Sequence, residues 1–426
     1  MNNKPIHYFL HFLPFAIIAA VALPQPALAL QPVDVFVAGA RSYSPRNREV
    51  RANREAAEAQ AGEALARALP GLSAGATYTR NQWDVSFAGL SVLPRDQVDA
   101  AVTLAVPLVD LAKFARISAA DWSAQAAAHQ QNVTAREVEA QVVQLYYQLA
   151  ADLALVSVAR KALDVVRVDF NLTEEAARAG SAAALDVARA RAEVEQRSQQ
   201  VTSAELEVKL TAQALTSRTG IRPDTETAPE LADDLHEEPR IEGFLAGVPT
   251  TPAVLAATTS QDAAERGATA QRLTLLPVLG GTFIERYTNA TGFLNGHHEA
   301  YAASVSLTWA LDLGTEPAIR ARKAEALAAK ARAEEASLAV IDAVVRAFNT
   351  IEADIARSRS ARAQSAATAR AADIARTRYR AGVVTQLEMI QADRDAFAAE
   401  AARIQADSDL LNARRQLRLA SGSGAP

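Results

Sequence analysis

A helical pattern of apolar residues runs through the first half of the chain. Apolar positions follow one another in alternating steps of four and three residues, a period that predicts a helix supercoiled against a neighbour. No Pro or Gly occurs from Val109 to Ala179, so the predicted helix is roughly 100 Å long. Asp152 is the one polar residue in this series; its other members are Val138, Val142, Leu145, Leu149, Val156, Ala159, Leu163, Val166 and Phe170.

The other predicted helices are bounded by glycine. One runs from the turn at Gly180 to Gly220, and another follows Gly382 and reaches about Ser421. The helix that leads into Gly382 begins at about Leu313. Glycine after a basic residue is a common helix ending. The pattern therefore predicts two antiparallel helical hairpins.

Segments of period two lie between the helices. Residues from Val98 to Leu108 and from Tyr301 to Leu311 alternate an apolar face with a small or polar one. Their length fits the about 9–11 residues of a tilted strand that crosses a membrane. Residues 72–79 and 279–287 are weaker partners, and Glu285 interrupts the apolar side of the latter. Two hairpins on a soluble core are the alternative, but the helices are committed to their own seams, so we favour a membrane barrel.

The whole order of elements occurs twice. Arg-Ala-Gly at 178–180 recurs 202 positions later at 380–382, and Val142-Val143 recurs as Val344-Val345 at the same spacing. Ser44-Pro45 and Thr251-Pro252 each predict a helix start with a capping hydroxyl. An ordered series of such matches indicates a duplication. We predict a first repeat at 30–220, an acidic linker at 221–243, a second repeat at 244–421 and a tail at 422–426.

The N-terminus has the features of a signal peptide, which we place at residues 1–29. An apolar stretch from Tyr8 to Leu23 precedes the small-residue cleavage sequence Ala27-Leu28-Ala29. A membrane anchor is the alternative, but the stretch is short and Pro14 interrupts it. The mature chain is therefore expected to be exported.

Composition and charge exclude several classes of function. The chain has 426 residues and no cysteine, so thiolate chemistry and disulfides are excluded. A net charge of −5 gives no overall basic surface for nucleic acid. No arrangement of nucleophile and base, phosphate loop or metal-ligand cluster stands out. We expect no enzyme, no catalytic residues, no cofactor and no metal site.

Four strands are too few to close a barrel, because small barrels have about eight. An open sheet edge in lipid would leave backbone groups without hydrogen bonds. Several copies must therefore share one barrel. Two copies would give eight strands and a filled interior, whereas three would give twelve and leave a passage.

The chain resembles the TolC family of outer-membrane efflux and secretion ducts. The resemblance rests on "NREVRANREAAEAQAGEALARALPGLSAGATYTR", on "VTLAVPLVDLAKFAR", on the paired Arg-Ala-Gly turns and on the duplication. It implies an α+β membrane protein in which long antiparallel coiled-coil helices form an α-barrel and four strands per chain contribute to a β-barrel. It also implies a homotrimer in the outer membrane of a Gram-negative bacterium, in contact with outer-membrane lipid and extending into the periplasm. A periplasmic adaptor and an inner-membrane transporter would be its partners, in a tripartite efflux pump or a type I secretion system.

The resemblance also implies roles for residues at the two turns. The family's periplasmic constriction corresponds here to Asp186, Glu388 and Gln391; Gln391 stands where the family often has an acid. The hairpin tips, where the adaptor docks, correspond to Arg178, Gly180, Leu185, Arg380, Gly382, Thr385 and Leu387. Helix capping is the competing interpretation, because Thr385 and Glu388 form a capping-box pattern and Asp186 suits a helix start.

Two functions without a pore remain as alternatives. A secreted coiled-coil scaffold would show the same helical periodicity, and so would a periplasmic adaptor. Neither accounts for duplicated hairpins of membrane-crossing length, so we favour a passive exit duct.

Overall fold

The structure is a computed structural model that describes residues 30–310 and 312–422. The predicted signal peptide and most of the predicted tail lie outside these residues. The α-helices are α1 (Val33–Tyr43), α2 (Pro45–Ala66), α3 (Leu111–Arg178), α4 (Ala184–Thr219), α5 (Ile241–Leu245), α6 (Pro252–Leu273), α7 (Thr315–Arg380) and α8 (Gln386–Ser421). The strands are β1 (Gly71–Arg80), β2 (Val85–Phe87), β3 (Leu90–Leu93), β4 (Asp96–Val109), β5 (Val278–Thr288) and β6 (Glu299–Thr308).

Helices α3 and α7 are the long helices that the sequence predicted. They contain 68 and 66 residues, and each turns into a partner of 36 residues, α4 or α8. One stretch of α3 reaches a mean hydropathy of 1.4 and is apolar enough to cross a membrane, but half of it is buried inside the protein. That burial is typical of a core helix.

The predicted apolar seam is buried, and the duplication is visible in the packing. Val142, Leu149 and Leu215 are each 0% exposed in a core formed by α1, α3 and α4. The residues 202 positions later, Val344, Ile351 and Leu417, are at most 1% exposed in a second core that involves α7 and α8. The two halves therefore bury the same positions of the repeat.

The polar residue in the seam is also repeated. Asp152 is buried and accepts hydrogen bonds from Gln148 (2.9 Å) and Thr211 (2.8 Å). Asp354, 202 positions later, is buried and accepts from Arg357 (2.7 Å). Burial raises the pKa of Asp354, and Arg357 opposes that rise. Each aspartate thus has a polar partner, as a buried carboxylate requires.

The two predicted β-hairpins form a single antiparallel sheet in the order β1-β4-β5-β6. Strands β4 and β5, one from each repeat, pair along most of their length, with an irregularity after Pro107. Strands β1 and β6 are the two edges. The sheet therefore joins the repeats.

The loop between β1 and β4 contains an additional hairpin, β2–β3, whose turn at Ala88 and Gly89 has positive φ at both residues. Two local predictions were wrong. The last strand ends at Thr308, before the predicted end at Leu311. Ser44 and Thr251 precede α2 and α6, but neither side chain caps the helix.

The acidic segment between the repeats has no helix or strand from 221 to 240, and α8 holds it in place. Buried Arg414 donates to the Asp233 carboxylate (2.9 Å), to Glu238 (2.5 Å) and to the carbonyl of His236 (2.7 Å). Arg362 donates to the carbonyl of Asp233 (2.9 Å). These bonds fix the segment against the second repeat.

Candidate functional site: the sheet and the hairpin tips

The sheet has two chemically different faces. One row across all four strands is Leu72, Leu104, Phe283 and Ala303, which are consecutive cross-strand partners. We call the face that carries this row the apolar face. It also carries Ala74, Tyr78, Val98, Val102, Val106, Glu285, Tyr301, Val305 and Leu307. An apolar band of this kind is what a strand presents to lipid.

The opposite face is small and rich in hydroxyl groups, and we call it the hydroxyl face. It carries Ser73, Thr77, Thr79, Thr103, Thr282, Ser304 and Ser306. Its charged groups include Asp99 and Arg286, which form an ion pair at 2.6 Å. Gln97 donates a further hydrogen bond to Asp99. This face suits contact with water.

Both edges of the sheet lack a partner within the described ranges. The edge strands β1 and β6 contain ten residues each, and their outer backbone groups are free to pair. The side chains of β1 are exposed along the whole strand. The sheet of one chain is therefore incomplete as a membrane-spanning structure.

The two hairpin tips have the same backbone geometry. Gly180 and Gly382 have φ of +79° and +69°, in the left-handed region that favours glycine. The amide of Ser181 bonds to the carbonyl of Ala176 at 2.9 Å, and the amide of Val383 bonds to that of Arg378 at 2.9 Å. Such a bond is typical of a helix that ends in a glycine turn. The repeated motif therefore encodes a repeated structure.

The helix starts after the two tips differ. Thr385 and Glu388 form a complete capping box, in which the Glu388 carboxylate accepts the Thr385 amide at 2.7 Å. This backbone hydrogen bond lowers the pKa of Glu388. In the first repeat Ala183 stands at the position of Thr385, and it provides no side-chain cap. Asp186 lies in the first turn of α4, 3.9 Å from Arg189.

The other predicted tip residues lie at the surface. Leu185 and Leu387 are 58% and 54% exposed. Arg178 and Arg380 end α3 and α7, and Arg178 pairs with Glu174 at 2.9 Å. Gln391 is exposed on α8.

The structure brings the two tips together through Gln386, which the sequence analysis did not identify. Gln386 is buried, and its side-chain amide donates to the carbonyl of Asp186 at 3.0 Å. The start of α8 is thereby linked to the start of α4. A glutamine inside a capping box is ordinarily exposed, so the sequence offered no signal for this contact.

A buried ionic cluster above the tips was also missed. Glu193 on α4 is 3% exposed, and it bonds Arg197 on the same helix at 2.9 Å and Arg394 on α8. Asp393 pairs with Arg376 at 2.8 Å. In the sequence, the only sign of this cluster was that polar residues occupy positions of α4 that are buried. The cluster therefore links α4 of the first hairpin to α8 of the second.

Asp169 lies close to this cluster. Burial raises the pKa of its carboxyl, and the neighbouring Asp393 raises it further, whereas Arg376 and Arg380 lower it. Its Oδ2 atom and the Oε1 atom of Gln386 have no hydrogen-bond partner among the described residues, and both residues line one cavity of about 10 Å³. The contact between the hairpins therefore includes polar atoms that are left unpaired.

Three side chains of the linker have ligand atoms close enough to hold a metal ion, namely Asp233, Asp234 and His236. Both carboxylate oxygens of Asp233 accept hydrogen bonds from Arg414, at 2.9 and 3.1 Å. His236 pairs with Asp234 at 2.5 Å. A guanidinium at this position opposes a second cation, so we assign the group to fixing the linker.

Two helical hairpins, with a four-stranded sheet built from both repeats, define a duplicated α+β membrane protein. The chain belongs to the outer membrane efflux protein family, whose model matches residues 39–220 and 250–423. Membership in this family makes the chain an outer-membrane protein that serves efflux.

Solved structures show the same fold. A membrane protein from Pseudomonas aeruginosa has a TM-score of 0.79 at 22% identity, over 92% of this chain and 93% of its own. The Campylobacter jejuni CmeC outer membrane channel has a TM-score of 0.79 at 15% identity, over 92% and 86%. The open state of the Neisseria gonorrhoeae MtrE outer membrane channel has a TM-score of 0.75 at 19% identity, over 93% and 90%. Among curated protein sequences, none matches this chain.

Proposed function

We propose that three copies of this chain form the passive exit duct of a tripartite efflux pump. The unpaired edges of the four-stranded sheet carry this proposal. Strand β6 of one copy pairs with β1 of the next, so that the apolar faces form a continuous surface toward lipid. The hydroxyl faces then line the passage.

Three copies suit an efflux channel better than two. An eight-stranded barrel has an interior that side chains fill, whereas twelve strands leave room for solutes. The small residues of the hydroxyl face, such as Ser73, Thr103 and Ser304, widen that room. The long helices continue the passage into the periplasm as a helical tunnel. The domain limits predicted from the sequence, 30–220, 221–243 and 244–421, are part of this proposal.

The tips form the inner end of the duct in this proposal. Asp186, Glu388 and Gln391 from each copy surround the constriction. The exposed Leu185 and Leu387, with the turns around them, are the surface on which a periplasmic adaptor docks, and an inner-membrane transporter completes the pump. The chain itself performs no chemistry and needs no cofactor, because its partners supply the energy for transport.

Engineered disulfides test the shared barrel, and the absence of native cysteine makes the assay clean. Thr77→Cys in β1 is combined in turn with Ala302→Cys, Ser304→Cys or Ser306→Cys in β6, so that the unknown register is sampled. At least one pair should link three chains covalently. Thr103→Cys with Ile284→Cys is the matched control, because these residues are partners within one chain and should link no second chain. Covalent species of no more than two chains, or links within one chain for every β1–β6 pair, would reject the trimer.

The constriction is tested separately with Asp186→Asn combined with Glu388→Gln. We expect a larger single-channel conductance in planar bilayers, or weaker binding of the adaptor. If both quantities match those of the unmodified protein, the assignment of these carboxylates is wrong, whatever the outcome of the disulfide experiment.

A further inference from the structure

A cavity of about 780 Å³ lies partway along the long helices. Its wall includes residues of α3 from Gln131 to Val143, which lie roughly 30–50 Å from the start of that helix. Helix α1 forms another side, and Pro252 at the start of α6 and Leu419 near the end of α8 also line the cavity. The volume falls within the range of about 300–1,000 Å³ that is typical of ligand sites. The cavity is separate from both the sheet and the hairpin tips.

The wall contains more positive than negative charge. Its acids, Asp34 and Glu139, are each paired with one arginine of the wall. Asp34 lies 2.9 Å from Arg415, and Glu139 lies 3.2 Å from Arg41. These two pairs leave the remaining arginines without neutralisation.

Three further arginines line the cavity, and they come from three helices: Arg51 on α2, Arg136 on α3 and Arg418 on α8. None of them forms an ion pair with a carboxylate in the described part of the chain. Arg136 donates to the carbonyl of Leu419 at 3.3 Å. Guanidinium groups bind carboxylates in a two-pronged geometry. The wall therefore offers several anion-binding groups from different directions.

The wall also contains an acceptor that lacks a donor. Asn47 is 7% exposed, and its side-chain amide donates to the carbonyl of Ala40 at 3.1 Å. Its Oδ1 atom has no hydrogen-bond partner among the described residues. Leaving such an atom unpaired costs about 1–3 kcal/mol. An occupant that brings an N–H group would remove this cost.

We propose that this cavity binds a short acidic peptide segment of a partner protein. The carboxylates of the peptide pair with Arg51, Arg136 and Arg418, and one of its backbone amides donates to Asn47. The carboxamide of Asn132, also in the wall, can both donate and accept, which suits a peptide bond. A peptide carries several carboxylates along one backbone, so it can engage arginines of three helices at once. This inference does not depend on the proposed trimer.

The test uses the full-length protein in detergent, in its native state of assembly. The probe is a fluorescein-labelled hexapeptide of alternating Glu and Ala, and binding is followed by fluorescence anisotropy. We expect saturable binding that weakens as salt rises, because part of the attraction is between charges. A hexapeptide of alternating Gln and Ala should not bind.

Single substitutions locate the site. Arg51→Gln and Arg418→Gln should each weaken binding about tenfold or more, as expected for loss of a charge-assisted hydrogen bond. Arg48→Gln is the matched control, because Arg48 is an exposed arginine of the same helix α2 but does not line the cavity. It should change affinity less than about twofold. Thermal unfolding and the mass of the assembly show that each variant remains folded.

Several results would overturn the proposal. Absence of peptide binding would do so, and so would equal losses in Arg48→Gln and Arg51→Gln. Binding of tripolyphosphate without binding of the peptide would indicate a site for small inorganic anions. Binding of the peptide to dissociated chains but not to the assembly would indicate that a neighbouring copy occupies the cavity.

Discussion

Each helical hairpin has an arginine–carboxylate ion pair at the same position of the repeat, but the surroundings of the two pairs differ. In the first hairpin Arg160 and Glu205 lie 2.7 Å apart, with side chains 60% and 37% exposed. In the second, the equivalent Arg362 and Asp407 lie 2.9 Å apart, and Asp407 is fully buried. An exposed pair contributes little to stability, whereas removing one partner of a buried pair is costly. The same pair of charges therefore has different energetic consequences in the two repeats.

The residues around the two ion pairs explain why Asp407 is buried and Glu205 is not. Asp407 also accepts hydrogen bonds from Ser358 and from Arg403, the latter at 2.8 Å. The equivalent positions in the first repeat are Val156 and Val201, which have no donor to offer. The repeat with the buried acid, Asp407, thus has hydrogen-bond donors at two positions where the other repeat has valine. Duplicated backbones can therefore diverge in chemistry when a buried group and its partners change together.

The largest expected effect comes from removing the acid of each pair. Asp407→Ala leaves Arg362 and Arg403 without their shared partner and should lower the free energy of unfolding by about 3–5 kcal/mol. Glu205→Ala is the matched control and should cost less than about 1 kcal/mol. Unfolding of the two variants by denaturant in detergent measures the difference. Equal losses would contradict the contrast between the hairpins.

A second comparison concerns the seam further toward the tips. Leu163→Ala removes a buried apolar side chain and should cost about 2–5 kcal/mol. Ser365, 202 positions later, donates to Glu400 at 2.6 Å, so Ser365→Ala should cost only about 0.5–1.5 kcal/mol. The same unfolding measurement applies. A larger loss for the serine variant would show that the hydrogen bonds stabilise the second hairpin more than apolar contacts stabilise the first.

The smallest expected effects concern the helix starts at the tips. Thr385→Ala should destabilise by about 1 kcal/mol, because it removes the cap. Ala183→Thr supplies the missing cap in the first repeat and should stabilise by a similar or smaller amount. Thermal unfolding in detergent detects both changes. A gain from Thr385→Ala would show that the cap is strained in the native tip.

The capping box also predicts a dependence on pH. The folded protein holds the pKa of Glu388 below its usual value, so the carboxylate stabilises the fold at pH above the pKa of the unfolded chain. This stabilisation is lost as pH falls through the lowered pKa. The difference between the unmodified protein and Glu388→Gln should therefore shrink in acid. A difference that is constant with pH would assign the effect to packing.

At the tips, sequence reasoning identified the parts whose physics is local. The glycine turns and the capping box depend on residues within a few positions of one another, and the structure contains both. The link from Gln386 to Asp186 spans 200 positions, and the bond from Arg394 to Glu193 spans 201. Contacts at such separation leave no mark in local periodicity. The predicted roles of Asp186, Glu388 and Gln391 in the constriction stay predictions.

The sequence by itself determined the duplication, the long helical hairpins, the alternating strands and the resemblance to outer-membrane ducts. Periodicity and turn residues act over short distances, so they can be recognised along the chain. Only the tertiary structure decided that β4 and β5 join the repeats in one sheet, and that Asp407 is buried while Glu205 is exposed. It also decided that three arginines with no carboxylate partner among the described residues line a cavity beside α1, α3 and α8. These features depend on which distant segments meet, because packing sets the burial and the partners of each group.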